Sequence, residues 1–409
     1  VFNDAIAEDT LSANALPTSY RRTGYAFKIG YGSEQNYVDI SVLKAEDDPN
    51  SIERPVRADI SPGRNLSIGV SIRQTWFKNF SWEVHGATSV YSEDIIATDI
   101  NLNELDIPEW LGSIYQPDYS TRVNFAGHAN LTYRNKNFSL KTEYMRIDPE
   151  YQTMGSYFFN NDLERYTISP TLIMAKGKIS FSGSFGLQQD NLLNNKASTT
   201  KRTIGSANLQ ITPVPQFSVN TQYSNYATQQ DAGLIDLNDT LRVFQINHNI
   251  SVNPTYTIVV GKSYHSMVLS MARQQLEDRN IFTSDQTQSI TNNANFNYRL
   301  QNNQLKLGFS GGLNYMNLTN ANLNTTRYGF TVGANKELFE RKLKIRLQTM
   351  YNVAEQEERE NGYIVNSACD ISYLPHQNHS FTFRGQSIMN RTNIEANDYI
   401  VNMNYNLTF

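Results

Sequence analysis

The stretch Leu305-Lys306-Leu307-Gly308-Phe309-Ser310-Gly311-Gly312-Leu313-Asn314-Tyr315 decides the fold. Its odd positions, Leu305, Leu307, Phe309, Gly311, Leu313 and Tyr315, are apolar or glycine. Its even positions, Lys306, Gly308, Ser310, Gly312 and Asn314, are polar or glycine. A strand sends successive side chains to opposite faces, whereas a helix groups every third and fourth residue, so this alternation specifies a strand with one apolar face. Its length exceeds the roughly five to six residues of an ordinary strand and suits the roughly 9–11 that cross a bilayer at a tilt.

The same period returns on both sides. Leu343, Ile345, Leu347, Thr349, Tyr351 and Val353 alternate with Lys344, Arg346, Gln348, Met350 and Asn352. Ile179, Phe181, Phe185 and Leu187 oppose a row of serines, and Phe80, Trp82 and Val84 oppose Ser81, Glu83 and His85. Tyr399, Val401, Met403, Tyr405, Leu407 and Phe409 close the chain against Asn402, Asn404, Asn406 and Thr408. A soluble sandwich would show short strands and frequent turns, and a solenoid a fixed repeat; neither pattern is present.

Short connections fall at 32–36, 75–78, 134–137, 176–178, 213–216, 261–265, 300–304, 338–341 and 375–379. Between them sit longer polar ones, for example at 45–64, 92–120, 148–164, 190–201, 228–240, 276–285 and 355–362. Strict alternation of tight turns and long loops is the pattern of an outer-membrane barrel, with periplasmic turns at one rim and extracellular loops at the other. The reading is therefore all-β: a transmembrane antiparallel up-and-down β-barrel of about 18–20 strands. Residues 1–23 read as an N-terminal loop and 24–409 as the barrel. Counting gives about eighteen strands and a terminal nineteenth, odd where single-chain barrels are usually even. The expectation is that sequence is missing before Val1 or that one strand is misplaced.

Composition agrees. The 409 residues are 39% hydrophobic, 11% aromatic and only 18% charged, below the roughly 25% of globular proteins. No run approaches the roughly 18 apolar residues of a membrane helix. The single Cys369 excludes an internal disulfide framework, and a net charge of −4 argues against a nucleic-acid partner. Trp76, Phe77, Tyr133, Phe138, Phe217, Tyr256, Tyr264, Phe339 and Tyr373 gather near the short turns, as an interfacial girdle would.

The terminal strand Tyr399 to Phe409, with Tyr405, Leu407 and the final Phe409, resembles the C-terminal assembly signal of outer-membrane β-barrel proteins. The Asn- and Tyr-rich composition, many strands and long loops resemble large outer-membrane proteins of the Bacteroidota. That resemblance is architectural. It implies an outer-membrane location, contact with membrane lipid and lipopolysaccharide, insertion by the barrel-assembly machinery, and neighbours among outer-membrane proteins or lipoproteins. It also implies O-glycosylation at Thr10 and Thr240, each in an Asp-Thr-Leu triplet.

No catalytic constellation, phosphate loop or metal signature stands out, and neither enzyme activity nor a cofactor is expected. His376 and His379 are spaced like ligands but sit on a tight turn, where a polar rim is the simpler role. The polar faces carry Lys28, Arg122, Lys141, Lys306, Lys344, Arg346 and Arg384 with Asp39, Glu83, Glu143 and Asp370. Inside a barrel such charges either constrict a water-filled pore or pair with one another, and the excess of bases hints at anion preference. The acidic run Glu46-Asp47-Asp48-Pro49-Asn50 suits calcium or a basic partner, though an ordinary solvated loop is the favoured reading. Within 92–120, Ile95, Ile96, Leu102, Leu105, Ile107, Trp110, Leu111 and Ile114 are unusually apolar for a loop, and mark a constriction or a docking surface. Two functions follow: a porin-like channel for small solutes, or an accessory barrel in a larger secretion, barrel-assembly or nutrient-import complex.

Overall fold

The computed structural model describes residues 4–7, 18–55, 60–100, 112, 114–156, 160–232, 242–320, 323–357, 359–376, 378–392 and 395–408. Among them are nineteen strands. The first nine are β1 (Arg22–Gly32), β2 (Tyr37–Asp47), β3 (Arg64–Trp76), β4 (Phe80–Ser92), β5 (Thr121–Arg134), β6 (Phe138–Ile147), β7 (Leu163–Met174), β8 (Ile179–Gln189) and β9 (Ser198–Val214). Then come β10 (Phe217–Ala232), β11 (Phe244–Val260), β12 (Ser263–Asp278), β13 (Ser289–Asn302) and β14 (Leu307–Asn320). The last are β15 (Leu323–Leu338), β16 (Leu343–Gln356), β17 (Arg359–His376), β18 (His379–Arg391) and β19 (Glu395–Leu407). Among the described residues, single helical turns lie at Ser284–Thr287 and Ala175–Gly177.

The strands form two units. Unit 1 comprises 1–170, 185–202 and 230–237; unit 2 comprises 171–184, 203–229 and 238–409. In unit 1, β1 to β6 pair consecutively and antiparallel, and in unit 2 β10 to β19 do the same. This is the all-β, up-and-down order expected from the alternation of short and long connections.

Two boundaries differ from the sequence reading. Arg22 and Thr23 belong to β1, because Arg22 pairs with Asp47 at the far end of β2. Leu305 and Lys306 lie in the turn before β14, where Lys306 takes a positive φ of 51°, so parity alone misassigned Lys306 to a strand face. Other tight turns likewise use non-glycine residues in the left-handed region. Phe77 and Lys78 stand at 50° and 62° between β3 and β4, and Phe339 to Arg341 at 52° to 74° between β15 and β16. Positive φ at successive positions bends the chain in the sense that suits twisted antiparallel strands.

The molecule has little interior. Its accessible surface is 26303 Å², against about 16,000 Å² for a soluble monomer of this mass. Among the described residues the one cluster of buried apolar side chains is Leu66, Val90 and Tyr115, ringed by Val42, Ile68 and Val123. Large apolar residues instead stand exposed along one face of most strands: Tyr31 at 90%, Leu313 at 62%, Met403 at 74%. Register explains why they share a face. In unit 2, Leu313 opposes Phe330, which opposes Tyr351 and then Val365. In unit 1, Phe27 opposes Val42, which opposes Ile68 and then Thr88.

Candidate functional site: the polar face of the strands

In unit 1 the opposite face carries a ladder of charge. Arg73 of β3 stands across from Glu83 of β4, Glu83 across from Asn130 of β5, and Asn130 across from Glu143 of β6. Register therefore delivers these side chains to one row. Glu83 accepts hydrogen bonds from Arg73 at 2.6 Å, Tyr37 at 2.7 Å and Asn130 at 3.3 Å. Two residues along, His85 and His128 oppose each other with rings stacked 5.8 Å apart. His85 Nε2 lies 3.0 Å from Glu83 and its Nδ1 2.9 Å from Ser71 Oγ; His128 Nε2 lies 3.4 Å from Glu143. Lys141 and Arg165 each approach Glu143 to 2.9 Å. Lys28 meets Asp39 at 3.0 Å in the neighbouring pair of strands.

A network in which every carboxylate has several partners holds its side chains in place more firmly than isolated exposed pairs, which contribute about 0–1 kcal/mol each. The sequence reading placed Lys28, Glu83, Lys141 and Glu143 on this face but left open whether they pair; they do. The roles of His85 and His128 were missed. The sequence signal for His85 was its place two residues from Glu83 on a predicted strand; His128 had only its place on or near a strand.

Above the ladder the connection between β6 and β7 folds onto the same polar face. Asn65, fully buried, organises it. Its side-chain oxygen accepts from Met154 N at 3.1 Å and Thr153 Oγ1 at 3.2 Å, while its amide donates to Ser89 Oγ at 2.7 Å and the Val90 carbonyl at 3.0 Å. Ser89 Oγ donates to the Gln152 carbonyl at 2.5 Å, and Arg122 pairs with Glu150. Burial pushes the Tyr151 hydroxyl up. In the sequence, residues 148–164 were only one long loop among several.

Of the apolar loop that the sequence singled out, residues 92–100, 112 and 114–120 are described. Tyr115 packs on Leu66 and Val90, on the apolar face, and its hydroxyl bonds Ser92 Oγ at 2.7 Å. Burial, helped by Asp118, pushes that phenol up to about 12, although the Ser92 bond and Arg64 pull the other way. Ile95 N donates to the Pro62 carbonyl at 2.9 Å, and the Ile96 side chain is exposed. Leu102, Leu105, Ile107, Trp110 and Leu111 lie outside the described residues, as do Thr10, Thr240 and Phe409. The acidic run is engaged by protein groups. Arg64 meets Glu46 at 2.7 Å, Arg22 meets Asp47 at 2.8 Å, and Arg21 pairs with Asp48. The Asn50 backbone N–H and Arg21 hold the Asp48 carboxyl below its usual range.

In unit 2 the polar face changes character along the sheet. From β10 to β12 it is mostly amide and hydroxyl: Asn220 Nδ2 donates to Gln210 at 3.0 Å, and Asn249 Nδ2 to Asn247 at 3.1 Å. From β13 to β19, near the short turns, it is basic. Lys344, Arg346, Asp370 and Arg384 fall there as expected, and Lys306 reaches the same concavity from its turn. Arg384 lies 3.5 Å from Asp370, and Lys344 3.9 Å from Glu337. Arg299 joins them, a residue the sequence reading did not select. His376 and His379 face each other across the β17–β18 turn, with His379 Nδ1 2.8 Å from Tyr405 Oη. Tyr405 and Leu407 stand exposed on the apolar face of β19.

No protein-family model matches the chain, and no curated protein matches it. Among solved structures it is similar to OccK11 of Pseudomonas aeruginosa, at 10% identity over 94% of both chains with a TM-score of 0.36. It is similar to the ferric-catecholate import receptor Fiu of E. coli K12, at 9% identity over 93% of this chain and 71% of that one, with a TM-score of 0.38. OmpT, an outer membrane protein of Vibrio cholerae, in a form lacking loop L8, gives 11% identity over 92% and 97%, with a TM-score of 0.28. Likeness at this level carries no weight for fold or function, which rest on the chain's own geometry.

Proposed function

We propose that this chain is an integral outer-membrane β-barrel of the kind found in the Bacteroidota and that it acts as a porin-like conduit for small solutes. One observation carries the reading: strand after strand sets an exposed apolar face against a polar face laced with ion pairs, in a molecule with almost no apolar interior. In water that apolar face would drive aggregation; against hydrocarbon it is the favourable surface, and alternating strands satisfy their backbone groups by pairing. The polar face then borders water. The clamped segment around Thr153 narrows the passage from the long-loop side, and the ladder from Arg73 to Arg165 lines it. Lipid and lipopolysaccharide surround the apolar face, and the barrel-assembly machinery inserts the chain.

Single-channel recording on the purified full chain in planar bilayers tests this. The expected result is stepwise conductance with a reversal potential on the anion side, given the basic face of β13 to β19. A folded, membrane-inserted protein that passes no current contradicts it, and supports instead an accessory barrel.

A further inference from the structure

The basic concavity of unit 2 asks for more than general anion preference. Seven basic residues and two acidic ones line a space of about 880 Å³ at the short-turn end of β13 to β19, in a chain whose net charge is −4. Such local excess opposes the sign of the whole protein. Arg346 of β16 stands opposite Asp370 of β17, and Asp370 opposite Arg384 of β18, so one carboxylate is shared in register by two guanidinium groups. Only Arg384 is within ion-pair distance of it, at 3.5 Å. Among the described residues no carboxylate lies within that distance of Arg299, Lys306 or Arg346.

The floor is built to be recessed. Gly308 of β14 sits between Gln301 and Asn335 in register, and the Asn335 amide donates to Gln301 Oε1 at 3.2 Å across it. A Cβ on Gly308 would stand 2.3 Å from both Gln301 Oε1 and Asn335 Oδ1, so the crossing of the two side chains requires glycine there. The guanidinium groups thus rise around an amide floor. Arginine's planar fork matches carboxylate and phosphate oxygens two at a time, which suits anions with several oxygens better than halides.

We propose that this concavity is a binding site for small oxyanions carrying at least two negative charges, with Arg299, Arg346 and Arg384 as the principal donors and Asp370 as a built-in competitor. The site goes beyond the conduit reading and does not depend on it, since binding is read in detergent without any current. Calorimetric titration of the full chain with pyrophosphate and, separately, succinate is the test; the tighter of the two assigns phosphate or carboxylate chemistry. Saturable binding is expected. The double variant Arg299→Gln/Arg346→Gln should weaken it about tenfold or more, and raised salt should weaken it further. Asp370→Asn should tighten it, because it removes the competing carboxylate. Absence of saturable binding by either anion, equal affinity in the double variant, or weaker binding in Asp370→Asn would overturn the assignment. A chain that binds but passes no current would leave this site standing while sinking the conduit.

Discussion

Asp162 shows how single residues hold the long-loop end of unit 1. Its side chain is 2% exposed, yet it accepts from the backbone N–H of Asn191 at 2.9 Å and of Leu192 at 2.8 Å, and pairs with Lys196. Burial alone would raise its pKa; Lys196 and the two N–H groups outweigh it and bring it below the ordinary 3.8. A depressed carboxylate stabilises the fold above its unfolded value, and that contribution is lost as pH falls through the lower folded value. Hydrogen exchange at the Asn191 and Leu192 amides should therefore be pH-independent in protection above about pH 4 and fail in more acidic solution. Asp162→Asn should cost about 1–3 kcal/mol at neutral pH, and the same amides report it. On the ladder, Glu83→Gln leaves Arg73 without its carboxylate and adds one net positive charge to the polar face. Its reversal potential should move toward anions; a shift toward cations would contradict the placement of Glu83 beside the passage.

At the scale of elements, parity was the legible part. The faces of β14, β16 and β19 follow from residue type alone, because a half-buried strand must alternate, and a charge on the wrong side is costly in hydrocarbon. Leu313→Arg should accordingly destabilise the inserted protein by about 2–4 kcal/mol, whereas Ser310→Arg, one face away, should be near neutral. Urea unfolding from liposomes separates the two. What parity could not supply is where strands begin, since Lys306 fits the alternation yet folds into a turn. Nor could it show which loop packs on the polar face. The apolar segment at 92–120 drew attention by composition, and its Tyr115 seats on the apolar face, while the 150–156 segment lies on the polar face because Asn65 offers it buried hydrogen bonds. Asn65→Ala removes that anchor, and conductance should rise; an unchanged conductance would mean the segment does not narrow the passage.

For the molecule as a whole, the low charge fraction and the small buried core have one cause: half of every strand meets a medium where ions are expensive and burial is unnecessary. Charge is then concentrated on the remaining half, paired in unit 1 and predominantly basic at the short-turn end of unit 2. That partition was readable in the sequence only as an average, because which strands stand side by side depends on register, and register brings Arg346, Asp370 and Arg384 into one row. The central claim is that one face of each strand meets lipid and the other water. Single cysteines introduced along β14, Leu307–Asn320, in a Cys369→Ser background and reconstituted into liposomes test it most directly. The account predicts that Ser310 and Asn314 react with a membrane-impermeant thiol reagent, while Phe309, Leu313 and Tyr315 resist it and are instead quenched by lipid-borne probes. Equal reactivity at both parities would contradict it.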